Sequence, residues 1–230
     1  MHLNKLIPLL ASLAFSLSLL ACGSDSGPSK TSDPKGYVEE NKDDLQGESL
    51  DSLDFSYANL NHGNLSGANL TDAKFFQGNA DSADFSGSIL YNTYIRETSF
   101  VGASFSRANL FSIDLQDADF THATLDSAVL DSGYLRQAKF LYSSLRGAFL
   151  RGSDVAHTTF DSSDCSGADF SGAFIEGTAF HGAILDNATF IDIKGNHGLD
   201  SMLCTAQSLR GISVDSSLAA RLELNCADKL

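Results

Sequence analysis

Every fifth residue from Leu50 to Phe190 is apolar, over about 29 consecutive positions and with no slip of register. The series runs Leu50, Phe55, Leu60, Leu65, Leu70 and Phe75 and continues to Phe180, Leu185 and Phe190. Only Ala80 and Cys165 fall below Val in bulk, and cysteine is still a residue of buried type. From Phe55 onward, a small side chain stands two residues before each apolar one, with Leu53 and Ile113 as the exceptions. A period of five suits neither common element. In a helix five residues advance about 500°, which would spread the apolar positions over every face. In a flat strand an odd period sends them alternately to the two sides. The chain keeps all of them inside only by turning a corner about once per pentapeptide. Glycine recurs two residues after the apolar position, at Gly67, Gly87, Gly102, Gly147, Gly152, Gly167, Gly172, Gly177 and Gly182, where a corner needs a permissive backbone.

A second period, of twenty, sets the number of sides. One column reads Leu50, Leu70, Leu90, Leu110, Leu130, Leu150, Phe170 and Phe190; another reads Phe100, Phe120, Phe140, Phe160 and Phe180. Like residues stack on like if four pentapeptides make one square turn. Turns spaced as strands in a sheet, about 4.8 Å apart, then give about seven coils and a rod roughly 35 Å long.

Ala58-Asn59-Leu60, Ala68-Asn69-Leu70, Ala83-Asp84-Phe85, Ala108-Asn109-Leu110, Ala118-Asp119-Phe120 and Ala168-Asp169-Phe170 repeat one tripeptide pattern. On these motifs the chain resembles the pentapeptide-repeat proteins, with their A(D/N)LxX unit, over residues of about 46 to 194. The resemblance implies an all-β solenoid, a right-handed quadrilateral β-helix. Residues 46–195 are the expected coil and residues 196–230 a short helical cap on its C-terminal end. Helical spacing recurs at 199–209, with Leu199, Leu203 and Ala206, and at 216–225, with Leu218 and Leu222 and with Asp215 as N-cap. Solenoids need such atypical ends because an open coil leaves strand edges and apolar side chains exposed.

Residues 1–21 have the form of a signal peptide, with Lys5 ahead of an apolar run from Leu6 to Ala21 that is short for a membrane span. The stretch Leu19-Leu20-Ala21-Cys22 resembles a bacterial lipobox, which implies cleavage before Cys22 and acylation of that residue. Gly23 rather than Asp after it favours, by the same resemblance, the outer membrane. Residues 22–45, poor in apolar side chains, read as a flexible tether, with a short helix beginning near Asp33-Pro34. Of the other cysteines, Cys165 replaces a core residue and is expected to be buried and inert. Cys204 and Cys226 flank the cap and are free to pair in an oxidising periplasm. A metal site is the rival reading, but no histidine pair stands at ligand spacing beside them.

The net charge of −14 argues against nucleic acid binding, which needs clustered Lys and Arg. No catalytic set stands out, and no cofactor, metal or small-molecule substrate is expected. His62, His122, His157, His181 and His197 are scattered. Asp114, Asp154, Asp164 and Asp169 occupy the outward slot that belongs to the repeat itself. The exception to a polar outside is a set of apolar outward positions, Ile89, Tyr91, Phe111, Val129 and Phe149, with Tyr94, Tyr134 and Phe174 in the slots of another side. Contiguous exposed apolar groups mark contact surfaces. Arg136, Lys139, Arg146 and Arg151 lie near in sequence, either to rim such a patch or to balance the acidic surface.

Three functions are compatible with these features. The first is a non-enzymatic, lipid-anchored envelope scaffold that binds a protein partner through its side. The second is a DNA mimic that binds a type II topoisomerase, as some relatives by resemblance do; acidity and rod form suit it, whereas the lipobox does not. The third is an envelope glycan-binding module or hydrolase. The lipobox yields a direct test: Cys22→Ser is expected to abolish metabolic labelling with a fatty acid and to move the protein from the membrane to the soluble fraction.

Overall fold

A computed structural model of the chain describes residues 28–195 and 197–230. The expected signal peptide and Cys22 lie outside these. In the repeat, the residue before each apolar position pairs in parallel with the residue twenty further on. Ser49 pairs with Asn69, Asn69 with Ile89, Ile89 with Asn109, and the ladder continues through Val129, Phe149 and Asp169 to Thr189. Parallel ladders begun by Ser49, Asp54, Asn59 and Asn64 give the coil its four sides.

The pentapeptide at Leu110 shows how the backbone closes each corner. Its N–H donates to Val129 O one coil on (2.7 Å), that of Ser112 to Asp131 O (3.0 Å), and that of Asp114 back to Thr93 O (3.0 Å). The Ile113 N–H closes the turn on Leu110 O (3.2 Å), and Ser112 between them has φ of 55°. This is a type II turn, in which the third residue needs a positive φ. The same left-handed conformation recurs two residues after every apolar position, at the glycines foreseen for it and at 20 non-glycine residues. Four of the five N–H groups thus find backbone acceptors. The fifth, on Phe111, is taken by Asn109 Oδ1 (3.1 Å).

Inside the coil the aromatic ladder is continuous. Phe100 stacks on Phe120 (4.9 Å), Phe120 on Phe140 (5.1 Å), Phe140 on Phe160 (5.1 Å) and Phe160 on Phe180 (5.3 Å). The small residue shares the inner space: a Cβ on Gly78 would lie 2.0 Å from the Phe75 ring. Ile113 is buried regardless, while Leu53, in the first coil, is only partly covered. Serines in the small slot are satisfied within their own turn, as Ser153 Oγ on Leu150 O (2.6 Å). Threonines instead reach the coil below, as Thr158 Oγ1 on Leu135 O (2.7 Å). No buried side-chain polar atom lacks a partner among the described residues.

The two ends depart from the expectation. The tether expected over 22–45 folds in its second half. Helix α1 (Pro34–Glu40) starts with Pro34 at its first turn, and the Asp33 side chain accepts the Gly36 N–H (2.9 Å). Val38 and Leu45 are buried in the core, Glu39 Oε1 accepts the Asn59 N–H (2.8 Å), and Lys42 O accepts that of Asn64 (2.7 Å). The segment folds because the first coil leaves donors and apolar groups open, which Val38, Leu45 and the partly buried Tyr37 cover.

At the other end α2 spans only Leu199–Leu203, shorter than the 199–209 spacing suggested. The chain then runs over the last coil as one more rung. Thr205 O accepts the Gly182 N–H, Ser208 O that of Leu185, and Arg210 O that of Asn187, and β2 (Ser213–Val214) pairs with β1 (Thr189–Phe190). Free coil donors outcompete a second helical turn. Helix α3 (Ser216–Cys226) follows, and Leu203, Leu209, Leu218 and Leu222 are buried against the core. Asp215 precedes α3 in extended conformation, but its side chain accepts the Asp192 N–H (3.2 Å) rather than capping the helix. A disulfide joins Cys204 to Cys226 and so ties α2 to α3. Hydrogen bonds from Ser208 and from Arg210 hold the Asp186 carboxyl below its ordinary range and fasten the extra rung.

Two substitutions separate core from corner. Phe140→Ala is expected to lower unfolding free energy by about 3–5 kcal/mol, as for other buried aromatics. Gly87→Ala is expected to lower it by about 1 kcal/mol through backbone conformation alone, since nothing lies within 4 Å of the added Cβ and φ there is 66°. Urea titrations of both variants measure the contrast.

Candidate protein interface

The outward slot before each core residue has a structural duty, which explains its usual Asn or Asp. Asp164 Oδ1 accepts the N–H and hydroxyl of Ser166 (3.1 and 2.6 Å), Asp169 Oδ1 accepts the Ser171 N–H (2.9 Å), and Asp154 Oδ1 that of Ala156 (3.2 Å). These are Asx turns that satisfy the one donor the coil cannot. At four corners where the slot holds another residue, an Asp one coil below substitutes. Asp81 serves Val101 (2.9 Å), Asp126 serves Arg146 (3.1 Å), Asp131 serves Arg151 (2.8 Å) and Asp161 serves His181 (2.8 Å). The carboxylates are therefore turn acceptors, and no group of three or more His, Cys, Asp or Glu residues suited to a metal occurs among the described residues. His62, His122 and His157 stand at corners with positive φ, and His122 stacks on Tyr142 (5.2 Å).

The apolar outward residues lie together. Ile89, Val129 and Phe149 belong to one ladder, with Asn109 between the first two. Tyr91 and Phe111 stand at the corner beside it, one coil apart, with parallel rings 5.8 Å apart. Ile89 is 43%, Tyr91 46%, Phe111 36% and Phe149 38% exposed, while Val129 is half-buried. Around that corner the next ladder carries Tyr94, Tyr134 and Phe174. The apolar groups thus follow one edge of the rod and both sides that meet there. The opposite two ladders carry mainly Asn, Asp, Ser and Thr, from Asn59 and Asn64 to Thr159 and Asp164.

Apolar residues in these slots leave turn donors open. The N–H groups of Tyr91 and Asp131, which follow Ile89 and Val129, have no acceptor among the described residues. At Phe149 the loss is made good by Asp131, which accepts the Arg151 N–H and pairs with its guanidinium (2.5 Å). That guanidinium also lies 5.1 Å from the centre of the Phe149 ring. The four cations Arg136, Lys139, Arg146 and Arg151 do not cluster, because the chain turns a corner between them. They pair separately with Asp154, Asp119, Asp164 and Asp131, and only two border the apolar sides: Arg151 over Phe149 and Arg136 over Phe174, 5.6 Å from its ring centre.

Two further groups are relevant to chemistry. Cys165 is buried, 3.2 Å from Ser163 Oγ, and burial pushes its thiol up to about 12. A shallow polar dent lies at the corner lined by Ser86, Gly87, Ser106, Arg107, Asp126 and Ser127. Sequence reasoning passed over Arg107; the available signal was an arginine in the corner column of Gly67, Gly87 and Gly147. Among the described residues no helix is long and apolar enough to cross a membrane.

A family model described as pentapeptide repeats matches the chain in 8 copies, over residues 49–90, 88–126, 103–140, 113–155 and 163–194. No curated protein matches it in sequence. Among solved structures, trypsin-treated QnrB1, a plasmid-mediated fluoroquinolone resistance protein, is 16% identical with a TM-score of 0.56, covering 79% of this chain and 94% of its own. HetL, a pentapeptide repeat protein involved in heterocyst differentiation regulation from the cyanobacterium Nostoc sp. strain PCC 7120, is 21% identical with a TM-score of 0.29, covering 77% and 91%. Neighbours of the first kind imply a right-handed quadrilateral β-helix.

The buried Cys165 thiol is expected to escape alkylation by iodoacetamide at pH 8.5 in the folded protein and to react fully in denaturant. Peptide mass mapping before and after unfolding checks this.

Proposed function

The chain belongs to the pentapeptide-repeat family, and from that premise we propose that it is a non-enzymatic scaffold that binds another protein through one edge of its coil. The observation that carries this reading is the run of adjoining apolar residues Ile89, Tyr91, Phe111 and Phe149 along one edge, whereas the two opposite ladders carry mainly Asn, Asp, Ser and Thr. Aromatic anchors of this kind hold most of the energy of an interface. The slots of Ile89 and Val129 on the same side are ones in which Asn or Asp would serve the fold better, since the Tyr91 and Asp131 N–H groups that follow them are left open among the described residues. The protein acts from the cell envelope, tethered through acylated Cys22, and the Gly23 that follows favours the outer membrane. The Cys204–Cys226 disulfide supports export, because such bonds persist in oxidising compartments.

The second reading, a DNA mimic that binds a type II topoisomerase, draws on the net charge of −14 and on the acidic acceptors Asp81, Asp84, Asp161 and Asp164 opposite the apolar edge. The two readings place the contact on opposite sides of the rod. Combined Tyr91→Ser, Phe111→Ser and Phe149→Ser is expected to leave the circular dichroism and thermal midpoint unchanged, because none of the three lies in the core. It is also expected to reduce capture of the envelope partner at least tenfold. A DNA mimic would instead bind purified topoisomerase and keep that binding in the triple variant.

A further inference from the structure

Six of the seven arginines are neutralised by a carboxylate: Arg96 by Asp114, Arg136 by Asp154, Arg146 by Asp164, Arg151 by Asp131, Arg210 by Asp186 and Arg221 by Asp200. Arg107 pairs with none among the described residues, in a chain where acids outnumber bases by 29 to 15. It is exposed, at a corner with φ of 60°, between Gly87 one coil below and Ser127 one coil above. The backbone there is held by the Arg107 N–H donating to Asp126 O (2.9 Å), while the guanidinium has no carboxylate partner among the described residues.

The surroundings of Arg107 are also rich in donors. The N–H groups of Ser106 and Asp126 have no acceptor among the described residues, because Ser104 and Thr124 stand where Asn or Asp would accept. Ser86, Ser106 and Ser127 line the same dent, the Ser86 hydroxyl bonded to that of Ser104 (2.7 Å). Its only carboxylate, Asp126, is already engaged through Oδ1 by Ser144 Oγ and by the Arg146 N–H (3.1 Å). The corner that holds the dent adjoins the side that carries Ile89, Asn109 and Val129, whose far corner is the Tyr91–Phe111 stack. A guanidinium without a carboxylate partner among the described residues therefore flanks the side that carries Ile89 and Val129, one corner away from the aromatic edge.

We infer that Arg107 is the charged anchor of the interface and that the partner is a protein segment presenting an Asp or Glu carboxylate next to apolar side chains. This rests on the reading that the apolar edge binds protein. A single carboxylate fits better than a phosphate, since Asp126 and the net charge of −14 oppose a multiply charged anion. Arginine takes a carboxylate through two parallel N–H donors, which fixes orientation as well as adding affinity. The apolar edge then supplies contact area, and Arg107 selects the partner and its register.

Photo-cross-linking in the full chain tests this. Phe111→p-benzoylphenylalanine places the probe on the edge, and Thr159→p-benzoylphenylalanine places it on the opposite side as control. The expected result is a protein adduct from position 111 alone, whose yield falls at least tenfold with Arg107→Glu. Changing the acidic residue of the cross-linked segment to Arg should then restore the yield against Arg107→Glu. Arg107→Gly, which suits the corner conformation, should also lower the yield and excludes misfolding as the cause. Unchanged yield in both Arg107 variants overturns the role of Arg107 and leaves the edge as the binding surface. No adduct at position 111, adducts from Thr159 only, or lipid adducts at position 111 overturn the protein-binding edge and the inference together.

Discussion

The left-handed backbone at every fifth residue closes the coil, and the other regularities follow from it. A type II turn after each core residue brings the chain round by one side while the following residue bridges to the coils below and above. Glycine adopts this conformation without strain, yet 20 other residues are held in it. They are held because two neighbouring coils bond each corner: the Arg107 N–H, for instance, donates to Asp126 O at 2.9 Å. The corner also leaves one N–H per pentapeptide without a backbone acceptor. That single shortfall accounts for the Asn or Asp of the repeat, and for the Asp residues one coil below that replace it.

A surface made by such rules has little freedom. The inner positions are committed to packing, and the outward slot is committed to serving the turn. An apolar residue in that slot gives up a hydrogen bond or requires a substitute, as Asp131 provides beside Phe149. Ile89, Val129 and Phe149 therefore mark where the protein departs from what its own backbone favours. Departures of this kind are where function is expected. Their alignment in one ladder, between the Tyr91–Phe111 corner and the corner of the only arginine without a carboxylate among the described residues, makes that side the distinctive part of the rod.

The ends obey a different constraint. A coil that pairs upward and downward terminates in open donors, acceptors and apolar side chains. At the start, α1 and Leu45 cover them with few apolar residues and two borrowed acceptors, Glu39 Oε1 and Lys42 O. At the finish, residues 205–214 add a rung before α3 closes over it, and the Cys204–Cys226 disulfide holds the two cap helices together.

The inward positions, the four sides, the glycine corners and the outward place of Ile89, Tyr91, Phe111 and Phe149 were legible in the sequence. Each pentapeptide meets the same surroundings as the next, so a local period carries the whole geometry. The sequence also marked Cys204 and Cys226 as available for pairing. Only the tertiary structure decided which cations meet which carboxylates. Arg136, Lys139, Arg146 and Arg151 are near in sequence but on different sides of the coil, and their partners lie 18 or 20 residues away. The helix starting at Asp33-Pro34 was legible as well, but only the tertiary structure decided that residues 34–45 pack on the first coil and that α2 stops at Leu203, because those outcomes depend on donors left open by the coil ends. The isolation of Arg107 belongs to the same class: whether a charge is paired depends on which rows align between coils, and that register is a property of the folded coil.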